Sequence, residues 1–426
     1  MTGSAERRAP GTVFRRPRRA MRRDLSQLVC AALGLVLGLL VPVLRAGPQI
    51  DAGRVATLLF TLGFGVISLV SIIYSMLFLV VQFSASAFTP RLGLFRDEPV
   101  VWRTFALTVG VFVFCVSSGL SIGARSSVSA LVPAVAMVST LVALAMMRTL
   151  QMRAFDSIQL AHSLTAVARR GHRLFDALYA DPYDPDRAAA APPPAAPAPG
   201  GAAPAAAVRW TGPAAVLQQV DVAALVALAE RHDCAILLRT APGRPLARDA
   251  VLAELTGAGP AAGTGPAAAQ VCAALVTGIE RTFEQDPELP FRLLSDIALR
   301  ALSPAVNDPA TAVDSMDRTQ DLLGRLADRD LAIGRFHDGS GRLRVTVPVP
   351  DWERYVRTAV DELAFAAAGS PMALGRLRGL LGALLERCPE DRREVVRERL
   401  RWVERTGTQR YPLIWPAAPA AKGDAP

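Results

Sequence analysis

Histidine, lysine and cysteine are all scarce in this chain, and each scarcity closes off a class of chemistry. The four histidines, His162, His172, His232 and His337, include no i, i+4 pair, which excludes a helical metal-binding pair. The five cysteines, Cys30, Cys115, Cys234, Cys272 and Cys388, show no CxxC spacing. They read as small buried residues in a reducing compartment, not as ligands or a disulfide framework. No phosphate-binding loop, GxSxG elbow or dinucleotide fingerprint occurs, so no cofactor and no metal are expected. Lys422 is the only lysine among 47 basic residues, which together with abundant Ala, Pro and Gly reflects the codon bias of a GC-rich genome.

Charge is missing in a more telling way from four long apolar runs, about Leu25–Leu44, Val55–Val81, Thr104–Ala124 and Ser126–Met147. A bilayer crossing needs ~20 apolar residues, and a soluble core helix would carry a charged face at period 3.6. The runs therefore predict a four-helix transmembrane bundle. They also lack intramembrane acids and bases, which argues against a coupled pump or antiporter.

Arginines set the orientation. Eight lie in the tail before the first run (Arg7, Arg8, Arg15, Arg16, Arg18, Arg19, Arg22, Arg23). Arg91, Arg96 and Arg103 follow the second run, and Arg148, Arg153, Arg169, Arg170 and Arg173 follow the fourth, whereas the opposite loops hold only Arg45, Arg54 and Arg125. This asymmetry predicts a multi-pass protein of the bacterial inner membrane with both termini cytoplasmic. A cleaved signal fits poorly, since the first run is too long and Leu44-Arg45-Ala46 is no small-x-small site. The net charge of +9 does not imply nucleic acid: residues 208–415 hold 26 arginines against 27 acids, so the basicity belongs to a membrane-flanking tail.

The chain divides into a basic disordered tail (1–24), the spans (25–147), a helix leaving the membrane (148–180), an Ala/Pro linker (181–207), a mixed α/β, mainly helical cytoplasmic domain (208–415) and a disordered end (416–426). Within the domain, strands are expected at Val216–Val220 and Ala235–Arg239. A helix capped by Asp221 and a turn at Pro242-Gly243 accompany them. Further helices are expected at Ala267–Glu284, Pro287–Ala301, Pro309–Asp328, Trp352–Ala368, Met372–Cys388 and Glu390–Arg405, with a hairpin around Asp338-Gly339.

Two features are candidates for function. The first is the polar segment Glu284–Arg318, EQDPELPFRLLSDIALRALSPAVNDPATAVDSMDR. Its two Asp-Pro pairs, Asp286-Pro287 and Asp308-Pro309, fit helix starts, and Arg292, Asp296 and Arg300 can form an i, i+4 ladder. Asp286, Glu288, Asp296, Asn307 and Asp308 could instead form a metal or acid–base cluster. Caps and surface pairs are the plainer reading, with Asn307 the residue they leave least explained. The second feature is a weakly polar stripe on the second run: Thr57, Thr61, Gly65, Ser68, Ser71, Ser75 and Gln82 recur about once per turn. It reads as a packing seam within the bundle or between subunits, or as a hydrated pathway. Gly34-x-x-x-Gly38 and Gly119-x-x-x-Gly123 are further close-packing signals.

Three stretches carry a family resemblance: QFSASAFTPR at Gln82–Arg91, SIQLAHSLTAVARR at Ser157–Arg170, and DIALRALSPAVNDPATAVD within Asp286–Arg318. In these the chain resembles a bacterial family of predicted membrane proteins known as a domain of unknown function, number twenty-two fifty-four. It departs at Ala305, where glycine is usual, and in its long Ala/Pro linker. The resemblance implies an integral membrane protein with a cytoplasmic C-terminal domain and carries no activity.

These observations together predict a non-enzymatic, membrane-anchored binding, sensing or scaffold protein. The partners expected are the lipid bilayer and further copies of itself, with no nucleic acid. An oligomeric channel lined by the second span, and a membrane-tethered enzyme using the Asp286–Arg318 carboxylates, are the alternatives.

Overall fold

A computed structural model describes residues 19–44, 47–87, 99–123, 125–158, 160–185, 206–257, 266 and 268–415. Most of the basic tail, most of the Ala/Pro linker, the Gly/Pro/Ala loop at 258–265 and the end after Trp415 lie outside the described residues. The chain forms two compact units, Pro17–Ser163 and Leu164 onward.

The first unit contains α1 (Arg19–Leu40), α2 (Ala52–Ala87), α3 (Pro99–Ile122) and α4 (Leu131–Ile158). Each is long and apolar enough to cross a membrane, the candidate spans being Ser26–Val43, Ala52–Met76, Val100–Ile122 and Leu131–Arg153. Small residues set the packing. A Cβ on Gly34 of α1 would lie 2.2 Å from the Gly110 carbonyl oxygen of α3, and one on Gly38 would lie 1.9 Å from Ser117 Oγ. Ser118 Oγ donates to the Gly38 carbonyl at 3.1 Å, an inter-helix bond in a part of the molecule without charge. Gly119 lets α3 approach the Phe60 ring of α2, whereas Gly123 meets only its own helix. The loops joining α1 to α2 and α3 to α4 pair as a short antiparallel ribbon, β1 (Gln49–Asp51) with β2 (Ser127–Ser129).

α5 (Leu160–Leu178) crosses into the second unit, and its buried face includes Leu164, Val167, Ala168, Leu174 and Phe175. The described helix residues on either side of position 159 cover most of the helix expected to leave the membrane, and its C-terminal part, α5, folds into the C-terminal core. A Cβ on Gly171 would lie 3.0 Å from Leu322 Cδ2 and 3.2 Å from Pro290 Cβ, which measures how closely α5 is packed.

The β part follows: β3 (Ala206–Arg209), β4 (Ala215–Val220), α6 (Val222–Arg231), β5 (Ala235–Leu238), β6 (Pro245–Leu246), β7 (Val251–Thr256), α7 (Ala268–Ala273) and β8 (Leu275–Gly278). With β9 (Arg335–His337) and β10 (Leu343–Thr346) these strands build a five-stranded sheet, ordered β3-β7-β5-β10-β9, and a three-stranded sheet, β6-β4-β8. Only the β5–β10 pair in these two sheets is parallel. Asp221 caps α6 through Ala224 N–H, as its position anticipates. The helix expected over Ala267–Glu284 is a correction: it stops at Ala273, because Leu275–Gly278 is taken up as an antiparallel partner of β4. β3 and β7 also went unforeseen; short strands of this kind are fixed by partners distant in sequence.

The helical part comprises α8 (Leu289–Ala301), α9 (Pro309–Ala327), α10 (Trp352–Ala367), α11 (Pro371–Arg387) and α12 (Glu390–Arg410). The central α8 is buried on nearly every side, from Leu289 and Phe291 to Ile297 and Ala301. Phe175 stacks on Phe291 at 5.7 Å, and Phe291 meets Tyr355 at the same distance. Arg392, 7% exposed, donates to the last carbonyls of α9, at Leu326 (3.1 Å) and Ala327 (2.9 Å), with the Tyr183 ring 4.3 Å from its guanidinium carbon. A cation so placed satisfies orphan carbonyls and complements the helix dipole.

Candidate functional site

The loop from β8 into α8 carries the densest chemistry. Gln285 is buried and closes on β4 from both sides, its Oε1 accepting Val220 N–H at 2.8 Å and its Nε2 donating to Val220 O at 3.2 Å. Asp286 is 1% exposed, and Arg281 grips it through two parallel bonds of 2.6 and 2.8 Å. Burial pushes the Asp286 carboxyl above the usual carboxylate range, against the pull of Arg281. Glu288 is 5% exposed: Oε1 accepts from Arg354 Nε (2.6 Å) and Thr358 Oγ1 (3.0 Å), and Oε2 accepts from Arg244 Nη2 (2.9 Å). All four carboxylate oxygens therefore have donors.

Backbone geometry is shaped around this cluster. Ala241–Arg244 is a turn closed by Arg244 N–H on Ala241 O at 3.1 Å, with Pro242 followed by Gly243 at φ +85°. A Cβ at Gly243 would fall 2.0 Å from Asp286 Oδ2, so glycine is required both by the dihedral and by the carboxylate lying against it. Beside the cluster the phenols of Tyr179 and Tyr355 share a hydrogen bond of 2.5 Å, and their full burial raises both above their ordinary ionisation range.

Asp286 is thus not the outward helix cap its Asp-Pro pair suggests. α8 starts at Leu289, and the carboxylate is turned inward, where the half-buried Arg281 guanidinium meets it. Arg292 pairs with Asp296 at 2.9 Å, as the i, i+4 spacing anticipates, and also with Glu362 of α10 at 3.0 Å. Arg300 is exposed in the last turn of α8, where a cation is favourable. Asn307 takes a left-handed backbone, φ +48°, in the turn between α8 and α9, a conformation that asparagine tolerates better than most residues. Asp308 caps α9 through Thr311 N–H at 3.1 Å and accepts its hydroxyl, which lowers the Asp308 carboxyl. Asn307 and Asp308 are separated from Asp286 by the length of α8, 13 residues or ~20 Å. One cluster of all five residues is therefore not formed. Among the described residues no group of three or more His, Cys, Asp or Glu is placed to hold a metal. Arg244, Arg281, Arg354 and Gln285 escape sequence reading because nothing in their local spacing marks them; Glu288 and Arg354 are 66 residues apart.

The stripe of α2 is placed differently from its in-bundle expectation. Val55, Leu59, Val66 and Val70 face the helices of the unit. Thr57, Thr61, Gly65, Ser68, Ser75 and Gln82 are all exposed, and no heavy atom comes within 4 Å of a Cβ built on Gly65. A single chain therefore buries the larger apolar face and turns the small polar one outward. Thr57, Thr61 and Ser75 satisfy their hydroxyls on carbonyls of their own helix, at 2.8–2.9 Å.

Four helices long and apolar enough to cross a membrane, followed by a mainly helical α/β domain, give the chain the layout of a predicted membrane protein. The chain belongs to the family described as predicted membrane protein (DUF2254), whose model matches residues 25–383. Similar proteins are the uncharacterized Rv1290c of Mycobacterium tuberculosis and Mb1321c of Mycobacterium bovis. Each is 29% identical over 392 residues, covering 86% of this chain and 73% of the relative. No solved structure matches.

Proposed function

We propose that this protein is a non-enzymatic four-span component of the bacterial inner membrane, with both termini cytoplasmic, whose C-terminal domain is a preformed binding or scaffold module. The observation behind this reading is the saturation of the buried carboxylates: every oxygen of Asp286 and Glu288 already accepts from an arginine or a hydroxyl. A metal would have to displace those donors, and acid–base catalysis needs a carboxyl within reach of substrate. The cluster instead works as a joint between the β5–β6 turn, the loop before α8 and helix α10, which fixes the surface the domain presents. Calorimetric titration of the purified full-length protein with Mg2+, Mn2+ and Zn2+ tests this, with no saturable binding expected. Metal binding that disappears in Asp296→Ala or Asp308→Ala would support the enzyme reading instead. Cysteine substitutions at Ser340 and Gly53 should label from opposite sides of the membrane.

The outward stripe of α2 favours a second element, assembly of copies through that face. Lipid gains little from threonine and serine hydroxyls, whereas small side chains let a second helix approach. Gly65→Leu or Ser68→Leu should reduce the oligomer mass in detergent, with Leu69→Ala milder. Ion flux in liposomes would add a channel role to that assembly.

A further inference from the structure

We infer that one end of the C-terminal helical bundle is a membrane-contact surface, built to rest in the headgroup layer of an anionic bilayer. The helix directions define the end. α5 runs parallel to α9, since Thr165 meets Arg318, His172 meets Asp321 and Asp176 meets Arg325. α11 also runs with α9, through Arg376 with Asp317 and Arg387 with Asp328. α8 returns antiparallel to α9, Ser315 reaching Leu294. α10 runs with α8, through Glu288 with Arg354 and Arg292 with Glu362. α12 runs with α10, through Trp352 with Arg392, Asp361 with Arg399 and Ala368 with Arg410. The starts of α5, α9 and α11 and the ends of α8, α10 and α12 therefore share one pole.

That pole is where the domain's exposed apolar side chains gather. Among the described residues of this unit, the large hydrophobics left exposed are Ile279, Val306, Phe365, Met372, Leu413 and Ile414. All but Ile279 are at this pole: Val306 in the α8–α9 turn, Phe365 in the last turn of α10, Met372 in the first turn of α11, and Leu413 and Ile414 just after α12. Tyr411 and Arg410 both donate to Ala368 O, which brings the tail against the α10–α11 turn. Leu413 is 95% exposed and Phe365 70%, values expected of side chains that insert into something and not of a finished water-facing surface.

Two observations select a bilayer as the occupant. Only ten residues lie between Arg153, where the fourth candidate span ends, and Leu164, where the C-terminal unit begins. The tether between them is thus no longer than ~40 Å even when fully extended. Charge also fits: Arg300, Arg405 and Arg410 are exposed at this pole. Its acids Asp308 and Asp317 are engaged as a cap and by Arg376, which leaves Asp314 as an exposed carboxylate there. Apolar tips ringed by arginines are the pattern of interfacial membrane contact.

The test uses the full-length protein with Cys30 and Cys272 replaced by serine and a polarity-sensitive NBD label on Leu413→Cys. It is reconstituted in vesicles of phosphatidylglycerol and phosphatidylcholine containing doxyl lipid. The Leu413 label should emit blue-shifted light and lose at least half its intensity to shallow doxyl groups. The same label on Ile279→Cys should stay water-like. Introducing Leu413→Glu and Ile414→Glu, at positions too exposed to threaten folding, should reduce quenching of a label on Met372→Cys at least twofold. Pure phosphatidylcholine should weaken all these signals. A water-like Leu413 label in anionic vesicles would overturn the inference. So would a blue shift without doxyl quenching, which would assign the pole to a protein partner or a second copy.

Discussion

The two units of this chain solve the same packing problem with opposite materials. In the spans, α1 and α3 touch through Gly34, Gly38, Gly110 and Ser117, with inter-helix contact made by backbone and small hydroxyls. In the C-terminal unit, α5, α8, α9, α10, α11 and α12 are cross-linked by arginines: Arg325 to Asp176, Arg376 to Asp317, Arg354 to Glu288 and Arg399 to Asp361. The difference follows the solvent. Where lipid replaces water, apolar burial cannot tell a helix neighbour from an acyl chain, so close approach does the work. Where water is the alternative, apolar cores form first, and charged pairs between helices then fix which neighbour sits where.

The sharpest way to break this comparison is to leave a buried carboxylate alone. Arg281→Ala strands Asp286 at 1% exposure and should cost about 3–5 kcal/mol in the unfolding of the C-terminal unit, followed by intrinsic tryptophan fluorescence. Arg281→Leu combined with Asp286→Leu should recover most of that loss. If the single variant melts like the parent, the pair is not the joint described above.

The matching test in the spans is Gly34→Ala. Its Cβ meets a backbone carbonyl that cannot swing away, so about 1–3 kcal/mol of overpacking is expected, seen as loss of a monodisperse species in detergent. Gly123→Ala, whose Cβ meets only its own helix, should be tolerated. Tyr355→Phe leaves the buried Tyr179 hydroxyl without its partner and should cost about 1–3 kcal/mol, whereas Phe at both positions should be close to neutral. Equal losses in the single and double variants would refute that pairing.

Smaller effects separate two aspartates of one segment. Asp308→Ala should lose about 1 kcal/mol, the ordinary value of a cap. Its carboxyl is lowered in the folded state, so its stabilisation is present at neutral pH and disappears as the pH falls through the folded value. Asp286 is raised, so the folded state retains a proton that the unfolded chain has already released. Its contribution therefore diminishes as the pH rises from the ordinary carboxyl value of about 3.9 toward the folded one. Unfolding midpoints between pH 3 and pH 7 should flatten on the acid side in Asp308→Ala and rise with pH more steeply in Asp286→Asn. The same slope in both variants would remove the distinction.

Much of this architecture was legible in the sequence because it rests on local signals. The uncharged runs, the Asp221 and Asp308 caps, the Pro242-Gly243 turn and the four helices after Asp308 each depend on residues a few positions apart. What was hidden depends on distance. β8 lies where a helix was expected because β4, almost 60 residues earlier, offers a ladder. Asp286 turns inward because of Arg281 and a glycine turn at 243. The α2 stripe shows a third limit. Its periodicity was readable, but which side of a helix meets its own bundle depends on the competing Val55–Val70 face, whose larger side chains fill that space.

The placement of α5 also has a consequence in time. The helix leaves the ribosome roughly 116 residues before Phe291, the ring that Phe175 stacks upon. At synthesis rates of ~5–20 residues per second, its face of Leu164, Val167, Leu174 and Phe175 waits on the order of 6–20 s for the helices that cover it. During that interval the helix carries an uncovered apolar face, and a bilayer interface is one shelter open to an amphipathic helix. Slowing translation between residues 180 and 290 should therefore lengthen the exposure of this one helix and leave the spans untouched.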